Sequence, residues 1–97
     1  MRVPLAAAAQ VFKSLGHPAR LRMVQALAKG ERCVCELHAL VGGDLSTTSK
    51  HLAVLVQAGV LSGEKRANKV FYRLRTPCVT DIIACLAAPR CARTGQR

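Results

Sequence analysis

The chain has 97 residues, of which 51% are apolar and 3% aromatic, and 15 Lys and Arg against five Asp and Glu leave a net charge of +10. This length holds one small domain, and so few aromatic residues favour further burial across an oligomer interface. The positive charge favours a polyanionic partner such as nucleic acid, with an acidic protein or a membrane surface as alternatives. No window approaches the roughly 18 uninterrupted apolar residues of a transmembrane helix, so that class is excluded.

The N-terminal segment begins like a signal peptide, but its apolar run stops at Gln10 and Lys13, before a full apolar region or a cleavage site. We therefore expect a cytoplasmic protein. In that reducing compartment an odd number of cysteines favours metal ligands, reactive thiols or core residues over a disulfide framework. The five are Cys33, Cys35, Cys78, Cys85 and Cys91.

Three short helices are predicted in the first 43 residues. Apolar side chains recur at three- and four-residue steps over residues 5–15, up to Gly16. A second helix begins with Pro18 at its favoured first position and ends at Gly30. A third spans residues 34–41 and ends at two glycines.

A fourth helix is predicted from Asp44, whose carboxylate suits an N-cap, to Gly59. Its inner face carries Thr48, Leu52, Leu55 and Val56. Its outer face carries polar or basic groups that can meet phosphates or base edges, namely Ser46, Thr47, Ser49, Lys50 and His51. Taken alone, this pattern is more simply a solvated helix face.

Residues 60–74 are predicted to form a β-hairpin, since Val70, Tyr72 and Leu74 alternate with Phe71, Arg73 and Arg75 at period two. Asn68, which tolerates a positive φ, is placed at its turn, and the tip carries three cations. A last helix is predicted to start at Pro77 and to end at Pro89, with an apolar stripe of Val79, Ile82, Ile83 and Leu86. We predict one domain over residues 1–89 and a basic, disordered tail over residues 90–97.

This order of elements, ααααββα, is that of a mainly α winged helix-turn-helix fold with one β-hairpin. Four stretches within residues 10–87 resemble the ArsR/SmtB family of bacterial metalloregulatory repressors. They are His17-Pro-Ala-Arg-Leu-Arg, Cys33-Val-Cys-Glu-Leu, Ser46-Thr-Thr-Ser-Lys-His-Leu-Ala-Val-Leu, and Gly59-Val-Leu followed by Val70-Phe-Tyr-Arg-Leu. The resemblance implies a repressor of double-stranded operator DNA and a homodimer whose terminal helices pair.

The resemblance also implies which residues meet DNA. Residues 46–51 match the start of the recognition helix, which enters the major groove, and Arg66, Asn68 and Lys69 match the wing. Asn68 stands where many members have Gly, and Leu45 stands where a polar residue is common. Because phosphate contacts should dominate affinity, we expect binding to depend strongly on salt.

Cys33 and Cys35 open the third predicted helix, just after the cations Lys29 and Arg32. Free N–H groups and nearby cations favour thiolates, although small Cys residues also simply pack. Residues i and i+2 lie about 200° apart on an ideal helix, so the two sulfurs hold one ion only if the first turn is extended or distorted. Ligand binding would then pull this helix out of shape and displace the recognition helix after it.

Thiolates select soft ions. The Cys-Val-Cys-Glu-Leu motif resembles that of arsenite-responsive members, which makes As(III) or Sb(III), as arsenite or antimonite, the expected inducer, with cadmium, lead or zinc as alternatives. Cys91 is a candidate third ligand or an exposed thiol, and Cys85 is expected to pack at the dimer interface.

Two rival functions belong to other classes. A thiol redox or persulfide-sensing repressor of the same fold would pair Cys33 or Cys35 with Cys85 or Cys91, because a Cys-x-Cys disulfide is strained. An enzyme is not expected, since the sequence has no Cys-x-x-Cys pair, no nucleophile and base set, and no phosphate loop.

Overall fold

A computed structural model describes residues 4–87, which form five helices and three strands. The predicted tail and Cys91 lie outside these residues. The winged helix-turn-helix fold is confirmed, with one additional strand before the third helix. The elements are α1 (Leu5–Ser14), α2 (Pro18–Leu27), β1 (Arg32–Cys33), α3 (Val34–Val41), α4 (Leu45–Gln57), β2 (Leu61–Arg66), β3 (Lys69–Leu74) and α5 (Cys78–Ala87).

The three strands form one antiparallel sheet in the order β1-β3-β2. The hairpin β2–β3, hereafter the wing, pairs Leu61 with Leu74 at its base and Arg66 with Lys69 at its tip. The additional strand β1 lies against the other edge of β3. A strand of two residues is too short to show an alternating pattern, so sequence periodicity could not reveal it.

The wing turn takes its left-handed residue at Ala67, with φ at 54°, and not at Asn68 as predicted. Ala67 and Asn68 are the two residues between the strands. An L-residue with a Cβ is disfavoured in this region, so this alanine carries local strain that a glycine would avoid.

The core lies where α2, α3 and α4 meet the base of the wing and the start of α5. Thr48, Leu52 and Leu55 are buried on the inner face of α4, as predicted. The same prediction is wrong for Val56, which is 38% exposed because it lies one position, about 100° around the helix, beyond Leu55. Asp44 is the N-cap of α4 but makes no side-chain capping hydrogen bond.

The apolar stripes of α1 and α5 remain largely uncovered within one chain. Leu5, Phe12 and Leu86 are 86%, 60% and 68% exposed, respectively. Ile83 packs partly against the core and Val79 is buried. The two terminal helices therefore present apolar surface that a second chain could cover. Within residues 4–87, none of the helices combines the length and the hydropathy that crossing a membrane requires.

Candidate DNA-binding surface and thiol site

The first turns of α4 expose the short polar and basic side chains expected to meet DNA. Ser46, Thr47, Ser49 and Lys50 are all exposed, while Thr48 turns into the core. Hydroxyl and ammonium groups at the start of a recognition helix are suited to phosphate oxygens and base edges. Four of the five predicted side chains on this helix are thus accessible to a ligand.

The fifth, His51, lies on the inner side of α4, so its placement on the outer face was wrong. It is 9% exposed, its Nδ1 accepts a hydrogen bond from Arg20 Nε at 3.1 Å, and its ring lies 4.5 Å from that of His17. Burial, followed by the charges of His17 and Arg20, lowers the pKa of His51. The geometry favours a neutral, structural histidine over one that contacts phosphate.

A polar contact fixes α4 against α3. His38 Nδ1 lies 2.9 Å from the Thr48 hydroxyl oxygen, and that hydroxyl donates to the Asp44 carbonyl at 3.3 Å. His38 is therefore a half-buried link between the two helices. The helical pattern could not show this, because it depends on how α3 and α4 cross.

At the wing tip, Asn68 and Lys69 are exposed, whereas Arg66 contacts other side chains of this chain. The Arg66 guanidinium forms an ion pair with Glu31, lies 3.7 Å from a carboxylate oxygen of Glu64, and stacks 4.3 Å from the ring centroid of Phe71. Its side chain is still 46% exposed. Sequence reasoning missed Glu31, whose partner lies on a distant strand.

The two thiols of the Cys-Val-Cys motif are brought together at the start of α3. Cys33 is the N-cap residue, with extended backbone and a buried side chain, and Cys35 is exposed in the first turn. Glu36 completes a capping box, since its carboxylate accepts the Cys33 N–H at 3.0 Å while its own N–H reaches the Cys33 sulfur. Cys33 therefore lies just before the helix with an extended backbone, and Cys35 lies in the first helical turn.

The two thiols differ in acidity. Hydrogen bonds from the Cys35 thiol and from the Glu36 N–H lower the pKa of Cys33. The hydrogen bond to Cys33 and burial raise the pKa of Cys35, while the nearby Lys69 ammonium acts in the opposite direction. Cys33 is therefore the sulfur that ionises first, with Cys35 as its donor. The cation that acts on Cys35 is Lys69 of the wing, where the sequence had suggested Lys29 and Arg32.

In the part of the chain that the structure describes, no group of three or more His, Cys, Asp or Glu side chains converges as a metal site. Cys78 and Cys85 are exposed on α5, and Cys91 lies outside the described residues. The structure thus assembles two of the three predicted ligands.

Comparison with known proteins agrees with this geometry. Residues 17–62 match the model of the bacterial regulatory protein arsR family. The biofilm growth-associated repressor of Agrobacterium fabrum is 39% identical over 84% of this chain and 70% of its own length. The chain belongs to the ArsR family. It is a transcriptional repressor of the ArsR/SmtB type, a class of DNA-binding regulators and not of enzymes.

Two further comparisons concern a solved structure and a second relative. A homodimeric winged helix-turn-helix DNA-binding domain from Mycobacterium bovis superposes with a TM-score of 0.82 at 24% identity, covering 96% of this chain and 89% of that one. A probable mercury resistance operon repressor of Streptomyces lividans is 33% identical over 87% of this chain and 70% of its own length. The first likeness concerns the fold alone.

Proposed function

We propose that this ArsR-family repressor binds double-stranded operator DNA as a homodimer and is released when As(III) or Sb(III) binds Cys33 and Cys35. The observation that carries the proposal is the hydrogen-bonded thiol pair at the start of α3. One sulfur has a lowered pKa, and the pair lies in the helix directly before the predicted recognition helix.

The ligand chemistry follows from two thiols that need no oxidant. Arsenite, As(OH)₃, exchanges two hydroxyl groups for two thiolate sulfurs, the two thiol protons leave with those hydroxyls as water, and arsenic stays trivalent. A third position remains for a hydroxide, an external thiol or Cys91. Cadmium, lead and zinc are the alternative inducers, although zinc usually takes four ligands.

The DNA surface in this proposal combines α4 and the wing. Ser46, Thr47, Ser49 and Lys50 enter the major groove, while Arg66, Asn68 and Lys69 reach the phosphate backbone beside it. His51 supports α4 from the inside. The dimer is formed by the exposed stripes of α1 and α5, residues 1–89 form the functional domain, the basic segment 90–97 follows it, and the protein acts in the cytoplasm.

Sensing of oxidants or persulfides is the second candidate, and the lowered pKa of Cys33 favours it because a thiolate is the reactive form in thiol exchange. The resolving sulfur would then come from Cys85 or Cys91. This candidate shares the fold and the DNA surface but predicts a different signal.

One titration separates the two candidates. A duplex selected from a random library by the unaltered protein serves as operator, and release is followed with arsenite, antimonite, cadmium and zinc under strong reductant. A persulfide donor is tested in a separate arm without reductant. We expect Cys33→Ser and Cys35→Ser to bind the duplex normally but to lose release by arsenite, with a smaller effect for Cys91→Ser.

Cys78→Ser is the matched control, because it removes an exposed thiol that lies outside the pair. Arsenite response retained in Cys33→Ser would overturn chelation by the pair. Release seen solely with the persulfide donor would move the protein to the second candidate.

A further inference from the structure

The strand that carries Cys33 belongs to the same sheet as the wing. Cys33 pairs with Phe71 and Arg32 pairs with Tyr72, so β1 lies along β3. β3 in turn pairs with β2 from the base of the wing to its tip. A backbone displacement at Cys33 therefore acts directly on β3, the central strand of the sheet and one of the two strands of the wing.

Side chains add a second connection. Glu31, the residue before β1, forms an ion pair with Arg66 at the wing tip. The guanidinium of Arg66 also stacks on Phe71, which is the residue that pairs with Cys33. The wing tip is thus held to the thiol-bearing segment through both the backbone and the side chains.

We propose that the wing is the output of the thiol site, so that an ion bound by Cys33 and Cys35 releases β1 from β3 and moves Arg66, Asn68 and Lys69 away from the DNA backbone. The inference rests on the proposed function and deepens it. It replaces the recognition helix with the wing as the element that the ligand displaces first.

The reason lies in what holds each element. The Cys33 sulfur accepts the Glu36 N–H and the Cys33 N–H donates to the Glu36 carboxylate, so drawing the sulfur toward a shared ion opens this capping box next to the pairing of Cys33 with Phe71. β1 has two residue pairs to oppose that displacement. α4 is held to α3 further along that helix, by buried Leu37 and by the contact of His38 with Thr48.

Hydrogen exchange tests the mechanical step. The probe is phenylarsine oxide, which exchanges its oxygen for two thiolate sulfurs and releases one water without change of oxidation state. It is added to the full chain carrying Cys78→Ser, Cys85→Ser and Cys91→Ser, with binding confirmed by mass. We expect amide protection along the β1–β3 ladder to fall at least tenfold, while amides of Leu52 and Leu55 in α4 keep theirs.

Tyr72 provides a second readout, because it is the single tyrosine in a chain without tryptophan and it pairs with Arg32. Its fluorescence should change with the same stoichiometry as the exchange. A protein that also carries Cys33→Ser and Cys35→Ser should show neither change. Unchanged β3 protection with the arsenical bound, or loss of protection confined to α4, would overturn the proposal.

DNA binding supplies the functional arm. With Lys69→Ala one of the proposed wing contacts is already absent, so the arsenical should reduce operator affinity several-fold less than in the unaltered chain. With Lys50→Ala on α4, affinity falls but the full response to the arsenical should remain. The reverse pattern would assign the output to α4 and overturn the proposal.

Failure of the proposed inducer function and failure of the link between the thiols and the wing give different results. If the arsenical loosens β3 but DNA stays bound, the proposed inducer function is wrong and the link between thiols and wing stands. If DNA is released while β3 keeps its protection, the proposed function stands and the wing is not its output.

Discussion

The proposed DNA surface predicts a definite change in the salt dependence of binding. Lys50 on α4 and Lys69 on the wing are both exposed. The logarithm of the affinity falls linearly with the logarithm of the salt concentration, and each phosphate contact that is lost makes this slope less steep by about 0.9. Because a dimer presents every lysine twice, a single Lys→Ala substitution should make the slope less steep by about 1.8, and the double variant by about 3.6.

The assay is fluorescence anisotropy on the selected duplex between about 50 and 200 mM salt. Over this range the unaltered protein should lose about 150-fold more affinity than the Lys50→Ala, Lys69→Ala double variant. Lys13→Ala is the matched control, since it removes the same charge from an exposed site on α1 outside the proposed surface. An unchanged slope in the double variant, or an equal decrease in Lys13→Ala, would refute the placement of the DNA surface.

Three further outcomes are expected. The pKa of His51 is lowered from 6.5 in the folded chain, so the unfolded chain binds an extra proton below that pH. The free energy of unfolding should therefore be at its full value above pH 6.5 and decline as pH falls toward the folded pKa. His51→Gln should flatten this decline in denaturant titrations, and an unchanged decline would contradict the prediction. Ala67→Gly should stabilise the chain by about 1 kcal/mol in thermal unfolding, with Asn68→Gly as control, because Ala67 has φ of 54°. Phe12 is 60% exposed, so Phe12→Asp should leave the fold intact but place a charge in the proposed dimer interface. Sedimentation at micromolar concentration should then show monomers. If the unaltered chain is itself monomeric under these conditions, the proposed dimer is wrong.

Local signals in the sequence predicted the helices well. Gly and Pro residues and apolar periodicity placed α3 at Val34–Val41 and located the ends of its neighbours within a few residues. Contacts between distant segments could not be predicted in this way. The pairing of Cys33 with Phe71 and the ion pair of Glu31 with Arg66 each join parts of the chain that carry no shared local pattern.

In the candidate site, too, local features could be predicted from the sequence and contacts between distant residues could not. The sequence placed both cysteines at the start of the third helix and made their shared ligation depend on an extended or distorted first turn. It placed the exposed hydroxyls of α4 from their helical face. His51 was misplaced because residues 48, 51, 52 and 55 repeat at three- and four-residue steps, which puts the histidine on the buried face. The polar character of its ring hid that periodicity, and the guanidinium of Arg20 is what makes its burial acceptable.

The position of the thiol pair suits a sensor for a physical reason. A ligand can shift an equilibrium solely by its different affinity for two states, so the element it moves must be weakly held. β1 meets this condition, because two residue pairs and one exposed ion pair hold it to the wing, whereas α4 is anchored by buried Leu52 and Leu55. Exposed ion pairs contribute about 0 to 1 kcal/mol, far less than a buried leucine does. The same argument explains why Cys33 is the N-cap: at the junction of strand and helix, a small rotation of one residue disturbs two structures at once.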